Sequence, residues 1–113
     1  MSSKTDNKRK TTKGDDWIPL SHPGEILLEE FLNPAGISQY RLAKAAALPA
    51  SRLTDVIKGR RGITADTAIR LGKTLGTTPK FWLNLQRDYD VRMAERANAA
   101  DYAALEVLAV SAG

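Results

Sequence analysis

An all-α fold of five helices is what this 113-residue chain predicts. Three observations carry the prediction. Apolar residues recur at three- and four-residue spacing along most of the chain, no run alternates apolar with polar residues long enough for a strand, and the breaks between periodic segments hold capping hydroxyls, prolines and glycines. With 42% hydrophobic residues the length supports one small core with flexible ends, not two domains.

The elements follow in chain order. Residues 1–16 contain no aliphatic side chain beyond Met1 and are expected to form a disordered basic tail, with order beginning near Trp17. A folded domain is expected over 17–97 and a C-terminal extension over 98–113 that forms a short helix or frays. Ser21, His22, Pro23 and Gly24 introduce the first helix, EILLEEFL, Pro23 suiting a first turn, and Asn33 to Gly36 end it. Ser38 opens a second helix with Leu42 and Ala43 on one face; Pro49, which lacks an amide donor, stops it near Ala46 and starts a third. In that third helix Leu53, Val56 and Ile57 make an apolar stripe, Ser51, Arg52, Thr54, Asp55 and Lys58 face outward, and Gly59 supplies the stop. Thr64 caps a fourth helix with Ala68, Leu71 and Leu75 in register, closed by Gly76. Thr78 and Pro79 begin the fifth and longest, KFWLNLQRDYDVRMAERA. On it Trp82, Leu85, Tyr89 and Met93 form one stripe while Phe81, Leu83 and Val91 fall off it, a surplus of apolar surface for one small bundle, so Phe81, Trp82, Leu85, Tyr89 and Met93 are candidates for a dimer or partner interface.

The second and third helices, two short rods joined by a tight turn with an inner apolar face, match the helix-turn-helix plan in which the second rod enters the major groove of DNA. Charge agrees. Residues 38–73 carry Arg41, Lys44, Arg52, Lys58, Arg60, Arg61, Arg70 and Lys73 against Asp55 and Asp66, a net of +6 inside a chain whose overall charge is +4. That concentration is the footprint of phosphate binding.

Other chemistry is disfavoured. The chain has no cysteine and one histidine, so a disulfide framework is excluded, a zinc site is implausible and no cofactor is expected. His22 is taken as structural. Glu29 and Glu30 are neighbours pointing to different sides of a helix, so they do not make a carboxylate dyad, and no catalytic constellation assembles. No stretch approaches the roughly 18 apolar residues of a membrane span. A cytoplasmic protein that is not an enzyme is expected.

With these residues in view the chain resembles the HigA-type antitoxins, the VapI-like branch of the Xre helix-turn-helix family. HPGEILLEEFLNPAGIS at 22–38, KGRRGIT at 58–64 and GTTPKFWLNLQRDYD at 76–90 carry the resemblance at matching spacings. It implies a five-helix, lambda-repressor-like domain, a homodimer on a palindromic operator, and a HigB-type, RelE-like toxin as partner. The alternative is a stand-alone Xre-type repressor without a toxin. Two positions depart from the family pattern: Pro49 stands where a capping Ser or Thr is expected, and Asp55 where a neutral or basic side chain is.

For base readout the candidates are Ser51, Arg52, Thr54 and Asp55. Arg52 leads, because its planar fork donates two hydrogen bonds to guanine O6 and N7. Asp55, three residues on, accepts from cytosine or holds the Arg52 guanidinium, the second use being favoured. Phosphate contacts are expected from Ser38, Gln39, Arg41, Lys44, Lys58, Arg60 and Arg61, with Gln39 assigned by the resemblance.

Overall fold

The computed structural model describes residues 21–110, so the expected tail at 1–16 and Trp17 lie outside the described residues. Among the described residues there is no strand. α1 runs in three stretches, Pro23–Ile26, Leu27–Leu32 and Asn33–Ala35, followed by α2 (Gln39–Ala46), α3 (Ala50–Ile57), α4 (Ala65–Leu75), α5 (Pro79–Ala97) and a short α6 (Ala99–Ala103). That is one helix more than five, the addition being a single short turn of chain after Asn98.

α1 outlasts the segment expected of it. Asn33, Pro34 and Ala35 form its last turn, and Gly36, at φ 68°, stops it. The middle stretch is wound more widely, the Asn33 amide reaching back five residues to the Leu28 carbonyl. Pro34 explains the widening: it has no amide to give to Glu30, and its ring crowds that carbonyl. The stop is a pair of hydrogen bonds from amides to carbonyls, Gly36 to Asn33 at 3.1 Å and Ile37 to Leu32 at 3.0 Å.

Each helix from α2 to α5 starts on its own side-chain cap or on a proline. The Ser38 hydroxyl accepts from the Arg41 amide, that of Thr64 from the Thr67 amide and that of Thr78 from the Phe81 amide. α3 has Pro49 at its cap position and no side-chain cap, yet its first turn is in place, Arg52 and Leu53 both donating to the Pro49 carbonyl.

The core is one cluster in which Leu27 and Leu32 of α1, Leu42 of α2, Leu53 and Val56 of α3, Leu71 of α4 and Trp82 of α5 are buried almost completely. α1 lies hard against the end of α3. A Cβ on Gly24 would stand 2.0 Å from the Val56 carbonyl oxygen, a separation no side chain tolerates. Trp82 at 0% exposure is core, and its Nε1–H donates to Thr77 Oγ1 at 2.7 Å. Its assignment to an interface is therefore corrected: the first turn of α5 folds over the bundle, where Trp82 packs against Phe31. Leu85 packs half-buried on the same core, and Tyr89 meets the His22 ring edge-on at 4.9 Å. Of the five candidates Phe81 (37% exposed) and Met93 (43%) remain at the surface. Further exposed apolar residues follow on the C-terminal side: Val91, Tyr102, Leu105, Val107, Leu108 and Val110.

Candidate nucleic-acid interface

The two rods of the helix-turn-helix are held at a fixed angle by the residues between them. Leu42, Ala43 and Ala46 of α2 and Leu53, Val56 and Ile57 of α3 are buried, with Leu48 of the turn wedged between. The turn is made by Ala47 at φ 54°, the one described non-glycine residue with a positive φ, and by hydrogen bonds from the Ala47 amide to the Lys44 carbonyl and from the Leu48 amide to the Ala43 carbonyl. What α3 leaves on its outer side is Ser51, exposed, and Arg52, Thr54 and Asp55, partly exposed. Around it stand Ser38, Gln39, Arg41 and Lys44 of the α2 segment and Lys58, Arg60 and Arg61 after α3, all exposed. Lys44 lies 5.6 Å from the centre of the Tyr40 ring.

The ion pairs differ from the expected ones. Asp55 does not hold Arg52. Its Oδ1 accepts from Arg60 Nη1 at 3.3 Å, because the turn after α3 folds back over the helix, the Arg60 and Arg61 amides both donating to the Asp55 carbonyl. Arg52 instead pairs through Nη1 with Asp66 Oδ2 of α4 at 3.2 Å. The same oxygen accepts from Arg70 Nε at 2.9 Å, and Arg70 Nη1 donates to the carbonyls of Ala46 and Ala47 at the end of α2. The hydrogen bond from Arg70 holds the Asp66 carboxyl below its usual value, with the Arg70 and Arg52 charges adding to it, so Asp66 is a carboxylate at neutral pH.

Two further side chains set the position of this surface. Gln86 of α5 accepts from the Ile63 amide at 2.7 Å and donates to Asp90 at 3.0 Å, which ties the loop carrying Arg60 and Arg61 to the bundle. His22 caps α1, its Nδ1 accepting from the Gly24 amide at 2.9 Å, and its ring covers Gly59 at the end of α3. Burial pushes the His22 pKa down, against the opposing pull of Glu25 and Asp90. Gln86 had one signal in the sequence, a polar residue four positions after Trp82 on the inner stripe. Asp66 had none, since it lies 14 residues from Arg52.

What this surface suits is a polyanion: a short, partly exposed helix face of small and hydrogen-bonding side chains, with exposed cations on the flanking segments, is of the kind that a major groove admits. Among the described residues no group of His, Asp and Glu is placed to hold a metal, and no helix is long and apolar enough to cross a membrane.

Comparison with known proteins gives the same architecture. The helix-turn-helix family profile matches residues 28–82. Virulence-associated protein I of Dichelobacter nodosus is 48% identical over 83 residues, covering 74% of this chain and 77% of that protein. An addiction module antidote protein of the HigA family from Coxiella burnetii superposes with a TM-score of 0.74 at 46% identity, over 79% of this chain and 98% of that one. The Pseudomonas aeruginosa antitoxin HigA, solved with the higBA promoter, superposes at 0.76 with 41% identity, over 80% of this chain and 100% of the other.

Proposed function

We infer the function from the premise that this chain belongs to the HigA family of helix-turn-helix antitoxins. It binds operator DNA as a dimer, represses its own operon and neutralises a HigB-type, RelE-like toxin that cuts messenger RNA. It acts in the cytoplasm, by binding and not by catalysis. The observation that carries the reading is the α3 face, Ser51, Arg52 and Thr54 outward with Arg41, Lys44, Lys58 and Arg61 around it, on a fold shared with the full length of a HigA chain solved with its promoter. Arg52 contacts a base edge; Ser51 and Thr54 touch bases or the adjoining backbone; Gln39, Arg41, Lys44, Lys58 and Arg61 neutralise phosphates. Asp55 serves the loop through Arg60 and leaves the readout to its neighbours. Phe81, Met93 and the exposed residues beyond them face the second copy or the toxin.

The test is binding to the DNA immediately upstream of the gene, with random duplex of equal length as the reference. The chain is expected to bind the upstream duplex as a dimer on two half-sites roughly 34–36 Å apart. Arg61→Ala weakens binding to both duplexes and lowers the salt slope by about one unit. Equal affinity for both duplexes, or a monomer in the complex, refutes the DNA part. The toxin part fails if the product of the adjoining gene arrests growth and co-expression of this chain neither relieves the arrest nor yields a complex.

A further inference from the structure

We propose that Asp66 is a positioning residue for operator recognition, a carboxylate on α4 that fixes the orientation in which Arg52 meets a base pair. The proposal rests on the reading of Arg52 as a base contact. Two helices meet at one oxygen, and a third is joined to it through Arg70. Asp66 Oδ2 takes Arg52 Nη1 from α3 at 3.2 Å and Arg70 Nε from its own helix at 2.9 Å. Arg70 is itself fastened to the Ala46 and Ala47 carbonyls, at 3.2 and 3.3 Å. The carboxylate is thus held from behind, and an arginine that would otherwise sample many rotamers is held in front of it.

A guanidinium has five N–H donors. The bond to Asp66 occupies one, which leaves enough for the two-bond contact with guanine O6 and N7. Arg52 keeps 34% of its side-chain surface exposed, so the fork is fixed without being buried. The carboxylate has a second effect. Arg52 and Arg70 without Asp66 present two uncompensated cations to any phosphate; with it, they present one. Asp66 therefore suppresses sequence-independent attraction while it sharpens the sequence-dependent contact, as a repulsive element does in a specific interface.

These two effects give a signature that a structural role would not produce. Ordering one long side chain in advance corresponds to roughly a three- to tenfold gain in discrimination. Asp66→Asn is expected to bind random duplex as well as or better than the parent, and to lose about that much preference at the base pair whose preference Arg52→Ala abolishes. In an Arg52→Ala background, Asp66→Asn is expected to change base preference no further. The measurement is fluorescence anisotropy on the upstream duplex and a set of single base-pair variants of it, with thermal melts of every protein variant. Asp66→Ser, which keeps a residue suited to a first helical turn, replaces Asp66→Asn if the amide variant melts early.

The outcomes separate the inference from the reading beneath it. If Arg52→Ala leaves every base preference intact, both fall. If Arg52→Ala flattens one base pair and Asp66→Asn does not, the Arg52 assignment stands and the role of Asp66 is overturned. A further loss of preference in the double variant also overturns it, because Asp66 would then act through Arg70 and the end of α2.

Discussion

Replacing Gly24 by alanine sets one methyl group against the end of the recognition helix. The added Cβ stands 2.0 Å from the Val56 carbonyl oxygen and 2.8 Å from the Ile57 Cα, where ordinary contact begins at 3.4 Å, so α1 and α3 must separate by more than an ångström. The obstructing atoms are backbone and cannot swing aside. Overpacking of this kind costs about 1–3 kcal/mol when side chains absorb it, and more when two helices must part. Alanine returns something, up to about 1 kcal/mol from helix propensity and a similar sum from a stiffer unfolded chain. The parting also loosens the core to which Leu27 and Val56, both 0% exposed, belong. A net loss of about 2–4 kcal/mol is expected, which for a domain of this size lowers Tm by on the order of 10 °C or more. Gly36 is the control, since a Cβ there meets nothing within 4 Å and only its φ of 68° opposes alanine; its loss is expected to stay near 1–2 kcal/mol. Urea unfolding of both variants checks the comparison. A Gly24→Ala midpoint equal to that of the parent, or above that of Gly36→Ala, refutes the close approach of α1 to α3.

Ala47→Gly removes the strain of an exposed alanine at φ 54° without removing a packed methyl, and is expected to raise stability by up to about 1 kcal/mol, the strain relief exceeding the added freedom of the unfolded chain. A lower midpoint in urea would show that the Ala47 methyl contributes contacts. His22 accepts the Gly24 amide only when Nδ1 carries no proton, and its folded pKa lies below the ordinary 6.5. The unfolded chain therefore binds more protons as pH falls through that value, so its contribution to stability is full above pH 6.5 and declines below it. The urea midpoint at pH 5.5 is expected below that at pH 7.5, and His22→Asn, a cap that does not titrate, is expected to narrow the difference; an unchanged difference would place the titration elsewhere.

Helix boundaries were legible because their chemistry is local. Ser38, Thr64 and Thr78 cap the amide three residues on, and Gly36, Gly59 and Gly76 take the left-handed turn that stops a helix, so sequence neighbours alone decide these positions. Ala47 carries no such local signal, for the complementary reason. Its positive φ is imposed by Leu48, which must reach the core, and by Arg70, which takes the carbonyls of the turn from another helix. The apolar surplus of α5 was legible as a quantity but not as an address. Periodicity identifies a stripe, whereas the crossing of α5 over the bundle decides which part is covered: Trp82 and Leu85 near the start lie on the core, and Val91 and Met93 beyond it are exposed.

Charge partners separate the two kinds of information most clearly. Asp55 stands three residues after Arg52, a spacing at which side chains on a helix meet, and a sequence offers no better candidate. The fold supplies two competitors. The turn at Gly59 carries Arg60 back over the last turn of α3 to Asp55, and the packing of α4 beside the helix-turn-helix carries Asp66 to Arg52. Each arginine takes the carboxylate that the backbone has already delivered, because ordering a long side chain toward a fixed partner costs less than ordering two mobile ones. The consequence reaches recognition. An Asp55–Arg52 pair would tie Arg52 to its own helix, whereas the Asp66–Arg52 pair ties it to the scaffold, so that, with Arg52 as the proposed base contact, a change in how α4 sits against α3 is expected to alter base preference without any change on α3 itself.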